Sequence, residues 1–426
     1  MEKIIPKTKV LDNTISKVEY NSLYKKIFLH ALKKMQAGSM RVIEKDGENY
    51  ILGNPNSSYP GFHNALIQIN HPNFYKKTVL FGDIGFAESY IDEDWDTDNI
   101  KNVLSWFLLN AENGPSNSGS KNFYFHIKLF NLLNRLYHKY RANTIKGSKR
   151  NIIEHYDLGN EFYKLFLDKT MTYSSAYFYK DEISLEEAQI AKYESLCQKL
   201  NLHKDLHILE IGSGWGGFSL YVAKKYGCKI TTITISNEQY KYAKALFERE
   251  GVDHLVNIQL KDYRHIHGSY DRIVSIEMLE AVGDKYFETY FKKCHEVLKK
   301  DGLLGIQVIT SPDSRYEEFK NGIDFIQKYI FPGSLCPSIA RLNQAINRTG
   351  DMHLYHAQDL GLSYAKTLHQ WLEMFDSNLS KVRALGFSEK FIRTWRYYLS
   401  YCEAAFQMRN ISVMQLFYTR PNNLTI

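Results

Sequence analysis

The sequence predicts an α/β chain of two parts: a smaller α+β domain over 1–110 and a doubly wound sheet domain over 151–426, joined by a segment at 111–150. Three observations predict it. Apolar runs recur near 206–211, 229–235, 255–260, 270–276 and 302–310 with helix-period segments between them, the alternation that builds a parallel sheet. The stretch LHILEIGSGWGG, Leu206 to Gly217, ends a strand in a glycine turn and opens at once into the amphipathic FSLYVAKKYG. Between the two parts, AENGPSNSGSKN is polar and rich in Gly, Ser and Asn, as a linker is.

The elements follow in order. Tyr20 to Met35 has helical periodicity, and MRVIEKDGENYILG reads as a hairpin turned at Asp46-Gly47. ALIQINH and TVLFGD are short apolar runs, and Asp98 to Leu109 returns to a helical pattern. A helix is expected over Phe123 to Tyr140, followed by a basic run to Arg150. In the second domain Leu185 to Leu200 reads as a helix before the first strand, and a helical insertion is expected from about Asp313 to Gly350. A helical tail, Leu368 to Gln407, and a last strand in VMQLFYTR complete the domain.

Composition bounds the function. The formal net charge of +7, with lysine clusters early in the chain, suits peripheral contact with an anionic membrane surface. No nucleic-acid-binding module is recognisable, so nucleic acid is not an expected partner. The five cysteines are odd in number and widely spaced, with no C-x-x-C, which argues against a disulfide framework or a metal site. No signal peptide is evident and no stretch approaches the roughly 18 apolar residues of a membrane span. The expectation is a cytoplasmic protein associated with the inner face of the membrane.

The glycine turn points to a nucleotide-like cofactor. Gly212 and Gly214 can let a ligand approach the backbone, and the following helix offers free N–H groups and a positive dipole end. Gly212, Gly214 and Gly217 also satisfy G-x-G-x-x-G, so NAD is one reading. The second strand, however, ends in Thr234 and Ser236 rather than in an acidic residue. Glu210 at the first strand end and Asp262 in LKDYRH suit S-adenosylmethionine, which has ribose, adenine and amino-acid groups to hold and no pyrophosphate. That reading is favoured on the residues alone.

Four further motifs fall where such a fold gathers its ligand face: NIIEHYDLGNEFYKLFLDKTMTYSSAYF (151–178), TISNEQ (234–239), SIEMLEAVGDKYFETYF (275–291) and KYIFPGSLCPS (328–338). Together they resemble the cyclopropane fatty acid synthase family, including the mycolic acid cyclopropane synthases. The resemblance covers the second domain and, more loosely through GDIGFAESYIDEDWD, the first, which would be the family's lipid-handling domain. It implies a Rossmann-like class I methyltransferase fold and transfer of a methyl group from S-adenosylmethionine to a cis double bond in an acyl chain of an unsaturated phospholipid. An alkene nucleophile cannot be activated by a base, so positioning in a dry pocket has to do the work. The resulting carbocation suits aromatic faces, which gives the 31 Tyr and 24 Phe a purpose beside packing. A homodimer is plausible by the same resemblance.

The resemblance also implies roles for residues. For the cofactor it assigns Tyr173, Ser174, Glu210, Gly212, Gly214, Gly216, Thr234, Ser236, Gln239, Asp262 and Tyr263. In the family a bound bicarbonate is thought to remove the proton, held by a Cys, a Glu, a His and a Tyr. Glu280 matches the Glu and Tyr364 the Tyr, but Ser175 stands at the Cys position and Gln307 at the His position. A glutamine cannot carry the positive charge that would hold an anion, which puts bicarbonate in doubt and makes Glu280 a candidate base. Cys402 matches a family cysteine near the C-terminus, with a buried packing thiol as the alternative reading. His155 and Tyr156 are expected to organise a loop over the cofactor, Lys328 and Tyr329 to shape an acyl entrance, and Trp215 to pack behind the glycine turn. A different exit from the carbocation would give a methyl- or methylene-branched chain. A dehydrogenase or a non-catalytic lipid-binding module are the readings from other classes.

Overall fold

A computed structural model describes residues 9–10, 23–57, 65–111 and 158–424. The expected helix over Phe123 to Tyr140, the linker beyond Ala111, and His155 with Tyr156 lie outside the described residues. The chain forms two compact units.

The first unit is built on a five-stranded sheet in the order β1-β3-β2-β4-β5 (β1 Lys9–Val10, β2 Ser39–Ile43, β3 Asn49–Gly53, β4 Ala65–Ile69, β5 Trp95–Asp96). β2 and β3 are the expected hairpin, its turn closed by Gly47 N–H donating to Glu44 O at 2.9 Å. Along β4 the side chains of Ala65, Ile67 and Ile69 are buried while Gln68 faces out, the two-residue period of a half-covered strand. TVLFGD lies within a helix, Asn73–Ile91, that breaks at Gly82 (φ 59°, ψ −133°). The Ile100–Leu109 helix starts at Asn99, whose side chain accepts from Asn102 N–H at 3.0 Å.

Two later segments, Asn321–Lys328 and Gly386–Asn410, belong to this first unit, where the sequence placed everything after 151 in the second. The reason is the apolar face of the Glu389–Gln407 helix, which buries Ile392, Trp395, Tyr397, Tyr398, Leu399 and Phe406. Arg393 on that helix lies 3.9 Å over the Tyr90 ring and donates to Tyr90 O at 2.7 Å, and Glu403 pairs with Lys101 at 2.8 Å. A helix packs where its apolar face is complemented, whatever its place in the chain.

The second unit is a seven-stranded sheet in the order β11-β12-β10-β9-β6-β7-β8 (β6 His207–Ile211, β7 Lys229–Thr234, β8 Val256–Leu260, β9 Tyr270–Ile276, β10 Leu298–Thr310, β11 His353–Asp359, β12 Ser412–Thr419). β8, β7, β6, β9 and β10 pair in parallel, and β12 runs antiparallel between β10 and β11. Two apolar clusters cover the sheet, one including Leu209, Ile273, Tyr290, Phe291, Ile306 and Leu342, the other Leu196, Ile208, Phe218, Ile230, Phe247 and Phe417. The strand order reverses between β6 and β9. In an open doubly wound sheet the crevice at the carboxyl ends of those two strands is where ligands bind.

Candidate active site

The glycine turn occupies that switch point. Gly212 N–H and Ser213 N–H both donate to Ile233 O, at 3.1 and 2.9 Å, so the turn is pinned to the end of β7. Gly216 sits at φ 95° and caps the Gly217–Tyr226 helix without a side-chain hydrogen bond. A Cβ there would come within 2.9 Å of the Phe247 ring. Gly214, at φ 49°, is the opposite case: a Cβ there would meet nothing within 4 Å. The turn is therefore packed from behind at Gly216, touched by the Met278 side chain at Gly212, and open at Gly214.

The other expected cofactor residues divide into those near the open side and those beneath it. Thr234 Oγ1 donates to Gln239 Oε1 at 2.8 Å, and Ser236 caps the Asn237–Arg249 helix, so the TISNEQ segment is folded tightly at the end of β7. Asp262 accepts from Arg264 Nε and Nη2 at 2.8 and 2.7 Å. Burial pushes its carboxyl up, but the Arg264 bonds outweigh that and hold it below the usual range. Glu210 lies under the turn, its Oε2 accepting from Ser219 and Thr232 hydroxyls at 2.5 Å each, and burial raises its pKa to about 7. It ties strand to helix beneath the loop. Tyr263 is a core residue, packed edge-on against Tyr290 at 5.3 Å. Its ring is taken up by the core beneath the sheet. Trp215 is buried, as expected, and its indole N–H donates to Asn160 Oδ1 at 2.7 Å.

Beside the turn stands an aromatic wall. Tyr173 packs 5.3 Å from both Tyr163 and Trp371, Trp215 lies 4.9 Å from Tyr163, and Tyr364 meets Trp371 edge-on at 6.1 Å. The Gly361–Ser377 helix that carries Tyr364 and Trp371 is docked on the TYSSAYF segment, since Thr367 Oγ1 accepts from Ala176 N–H at 3.1 Å and Ser363 Oγ from Phe178 N–H at 3.1 Å.

Around the next strand end the structure brings together residues that the sequence listed and two that it did not. Glu277, one residue past β9, is held at φ 47°, a conformation that side-chain-bearing residues seldom adopt. Its Oε1 accepts from Ser175 N–H at 2.8 Å and from Gln307 Nε2 at 2.8 Å, and the Tyr364 hydroxyl also hydrogen-bonds the carboxylate. Lys192 is fully buried, donates to Ser174 Oγ at 2.6 Å, and acts electrostatically on Glu277. The Gln307 amide is oriented by a row of glutamines across the sheet: Gln415 Nε2 donates to Gln307 Oε1 at 3.0 Å, which leaves the Gln307 NH₂ facing Glu277. Burial raises the Glu277 carboxyl against the pull of Lys192, Gln307, Ser175 N–H and Tyr364. Burial lowers Lys192 to about 7 against the pull of Glu277 and Asp168.

Glu280 lies close by and is differently held. Its Oε1 accepts from Ile309 N–H at 2.5 Å, and its Oε2 is buried with no hydrogen-bond partner among the described residues. Burial, and then the neighbouring Glu277, raise its pKa to about 8, so at neutral pH it is mostly a carboxylic acid. Ser175 is fully buried, and its hydroxyl donates to Ala176 O at 2.9 Å, within its own strand of chain. Thus Ser175, Gln307 and Tyr364 converge, but on Glu277.

Cys402 is not among these residues. It sits on the Glu389–Gln407 helix of the first unit, and burial, then Asp324, push its thiol far above the usual range, which leaves no nucleophilic thiolate. Lys328 is also in the first unit, paired with Glu88 at 2.7 Å, while Tyr329 opens the next second-unit segment and is 42% exposed. None of the five cysteines forms a disulfide, and no group of acidic, His and Cys residues among the described residues could hold a metal. Sequence reasoning missed Glu277 and Lys192. Lys192 had a readable signal, because it shares a helix face with Leu185, Ala188, Gln189 and Leu196, all buried.

Comparison with known proteins agrees with this geometry. Residues 143–416 match the family model described as mycolic acid cyclopropane synthetase. The chain is 36% identical over 375 residues to the cyclopropane-fatty-acyl-phospholipid synthase of Escherichia coli K12, covering 87% of this chain and 92% of that protein. It is 34% identical over 346 residues to the tuberculostearic acid methyltransferase UfaA1 of Mycobacterium tuberculosis, covering 78% of each. The solved mycolic acid cyclopropane synthase CmaA1, complexed with SAH and CTAB, superposes with a TM-score of 0.60 at 31% identity, over 64% of this chain and 98% of that one. Fold, ordered motifs and relatives agree, and the chain belongs to the mycolic acid cyclopropane synthetase family of methyltransferases.

Proposed function

We propose that this chain transfers a methyl group from S-adenosylmethionine to the cis double bond of an unsaturated phospholipid acyl chain and closes it to a cyclopropane. The observation that carries the reading is the juxtaposition, at one sheet edge, of an open backbone cradle at Gly214, an aromatic wall and a buried carboxylate. The cradle fits the cofactor: the turn from Gly212 to Gly214 would hold its amino-acid part by backbone, and Thr234, Ser236, Gln239 and Asp262 its adenosine. When bound, it supplies an electrophilic methyl on a positively charged sulfur. The chain's own groups then have three tasks. Tyr163, Tyr173 and Trp371 exclude water and present ring faces to developing positive charge. The docked Gly361–Ser377 helix fixes Tyr364 beside the reacting end. A buried carboxyl takes the proton that the carbocation must lose.

A phospholipid substrate requires the enzyme to work at a bilayer surface. No helix among the described residues is long and apolar enough to cross a membrane, and the net charge of +7 favours anionic headgroups, so contact from one face fits this reading.

A second reading, a methyl- or methylene-branched product, is favoured by one specific pair, Ser175 and Gln307, and by the similarity to a relative named for tuberculostearic acid. Incubation with vesicles of dioleoyl phosphatidylglycerol and isotopically labelled S-adenosylmethionine tests both. Each modified chain should gain one CH₂ in mass spectrometry, and fragmentation separates ring from branch. Cofactor binding without label in lipid would refute the enzymatic reading; tight NAD binding with no response to S-adenosylmethionine would refute the cofactor.

A further inference from the structure

The groups expected to cradle a bicarbonate do not fit one here. The Ser175 N–H, the Gln307 NH₂ and the Tyr364 hydroxyl are all given to the Glu277 carboxylate. The Ser175 hydroxyl is spent on Ala176 O, and the Gln307 carbonyl on Gln415. An anion would have to enter without these donors and against a carboxylate already in place. The neutral Glu280 could offer it one O–H, too little to offset that repulsion.

From this geometry we infer that Glu277 is the proton acceptor of the reaction, a carboxylate built into the chain where the family resemblance implied a bound bicarbonate. The inference deepens the function proposed above and rests on it. Several features fit the role. Glu277 is half-buried as a residue, whereas Glu280 and Gln307 are buried. Three hydrogen bonds fix its direction, and the φ of 47° aims it from the end of β9, a strained conformation kept at the site. Burial makes it a stronger base than a solvated glutamate, and Lys192 pulls the other way.

The step balances without a further reactant. Methyl transfer leaves a neutral sulfide and one positive charge on the acyl carbon. A C–H bond of the added methyl group then breaks. Its electron pair closes the ring, and the proton passes to Glu277, which becomes neutral and later loses it to solvent. Loss of a hydrogen from a neighbouring carbon to the same carboxylate would give a branched alkene instead, so one base serves either product.

The test uses the full-length protein in bicarbonate-stripped and bicarbonate-supplemented buffer, with two readouts. The first is binding of ¹³C-labelled bicarbonate, followed by NMR. Wild type should show no saturable binding, and Glu277→Gly, which relieves the backbone and vacates the carboxylate's place, should gain it. The second is methyl transfer to dioleoyl phosphatidylglycerol vesicles. Wild-type rates should be equal in both buffers. Glu277→Gln should lose activity by about 100-fold or more, the lower end of a general base's contribution. Glu277→Gly should recover part of its rate on adding bicarbonate or formate. Melting temperature and S-adenosylmethionine affinity, measured on each variant, separate misfolding from loss of the base, and Glu277→Asp should retain more activity than Glu277→Gln. Saturable bicarbonate binding by the wild type, or a wild-type rate that collapses when bicarbonate is removed, overturns the inference. Normal turnover by a folded Glu277→Gln overturns it too. If wild type methylates no lipid at all, the function falls, and the binding readout alone still decides whether Glu277 excludes the anion.

Discussion

Lys192→Met isolates the charge that tunes Glu277. Methionine keeps the length and apolar bulk of the lysine and removes its ammonium, which is fully buried and faces Glu277 and Asp168. An opposite charge at about 4–6 Å lowers a carboxylate pKa by roughly 1–3 units, so its loss raises Glu277 by that amount. A general base works when ionised. The acid limb of kcat/KM should therefore move about 1–3 units to higher pH, and the rate below both pKa values should fall by about 10- to 1000-fold. The stability account runs the other way. Lys192 sits at about 7 in the fold against a usual 10.5, so between those values the unfolded chain binds more protons and wild-type stability rises with pH. At 1.36 kcal/mol per unit, burying that amine withholds about 4–5 kcal/mol at neutral pH. Removing it returns this, less about 1 kcal/mol for the Ser174 hydrogen bond, since the pull of Glu277 is already contained in the value of about 7. The variant should therefore melt above wild type at neutral pH and lose the rise in stability between pH 7 and 10. A pH–rate profile on phospholipid vesicles with calorimetry at two pH values reads both. A fixed acid limb with a large drop in melting temperature would make Lys192 a structural residue and refute the reasoning.

Two other perturbations test parts of the site separately. Gly214→Ala adds a methyl group into open space at φ 49°, so the fold should lose only about 1 kcal/mol, while calorimetric titration should show S-adenosylmethionine affinity down at least about tenfold. Cys402→Ala should keep kcat within about twofold and leave its pH profile unmoved, because the thiol sits in the first unit with its pKa pushed far above neutral; a large loss of kcat with the fold intact would restore a catalytic role.

The sheet's inner strands were legible because they are buried on both faces and therefore read as apolar runs: β6, β7, β9, β10 and β12 fall where the runs were, as does β8, an edge strand in which only Val256 is buried. β11 was not, since it is an edge strand with no buried side chain, and HLYHAQD carries no strong pattern. The Glu389–Gln407 helix was legible as a helix but not as part of the first unit, because an apolar face does not name its partner. Within the site, Ser175, Gln307, Tyr364 and Glu280 could be found by motif, and all four lie together. Glu277 stood in the same SIEMLEAVG motif and was passed over for Glu280. What marks it is a backbone conformation and three hydrogen-bond donors, two of them more than fifty residues away, and neither can be read from a string of letters.

Which of the two glutamates is ionised follows from their donors. Two carboxyls this close cannot easily carry charge together, and the proton goes to the one whose anion is less well solvated by the protein. Glu277 has an amide N–H, a side-chain NH₂, a phenol and a lysine field; Glu280 has one amide N–H and an oxygen with no hydrogen-bond partner among the described residues. The proton therefore belongs on Glu280, raised to about 8, and the base is Glu277. Glu280→Gln replaces a neutral acid by a neutral amide of nearly the same shape, so the enzyme should keep at least about a tenth of its rate near pH 7. Above pH 8 wild type puts a second negative charge beside the base as Glu280 ionises, and the variant does not, so the two pH–rate profiles should diverge there. Were Glu280 the base, Glu280→Gln would instead lose activity at every pH and Glu277→Gln would be the mild change; measuring the pair side by side on the same vesicles separates the two assignments.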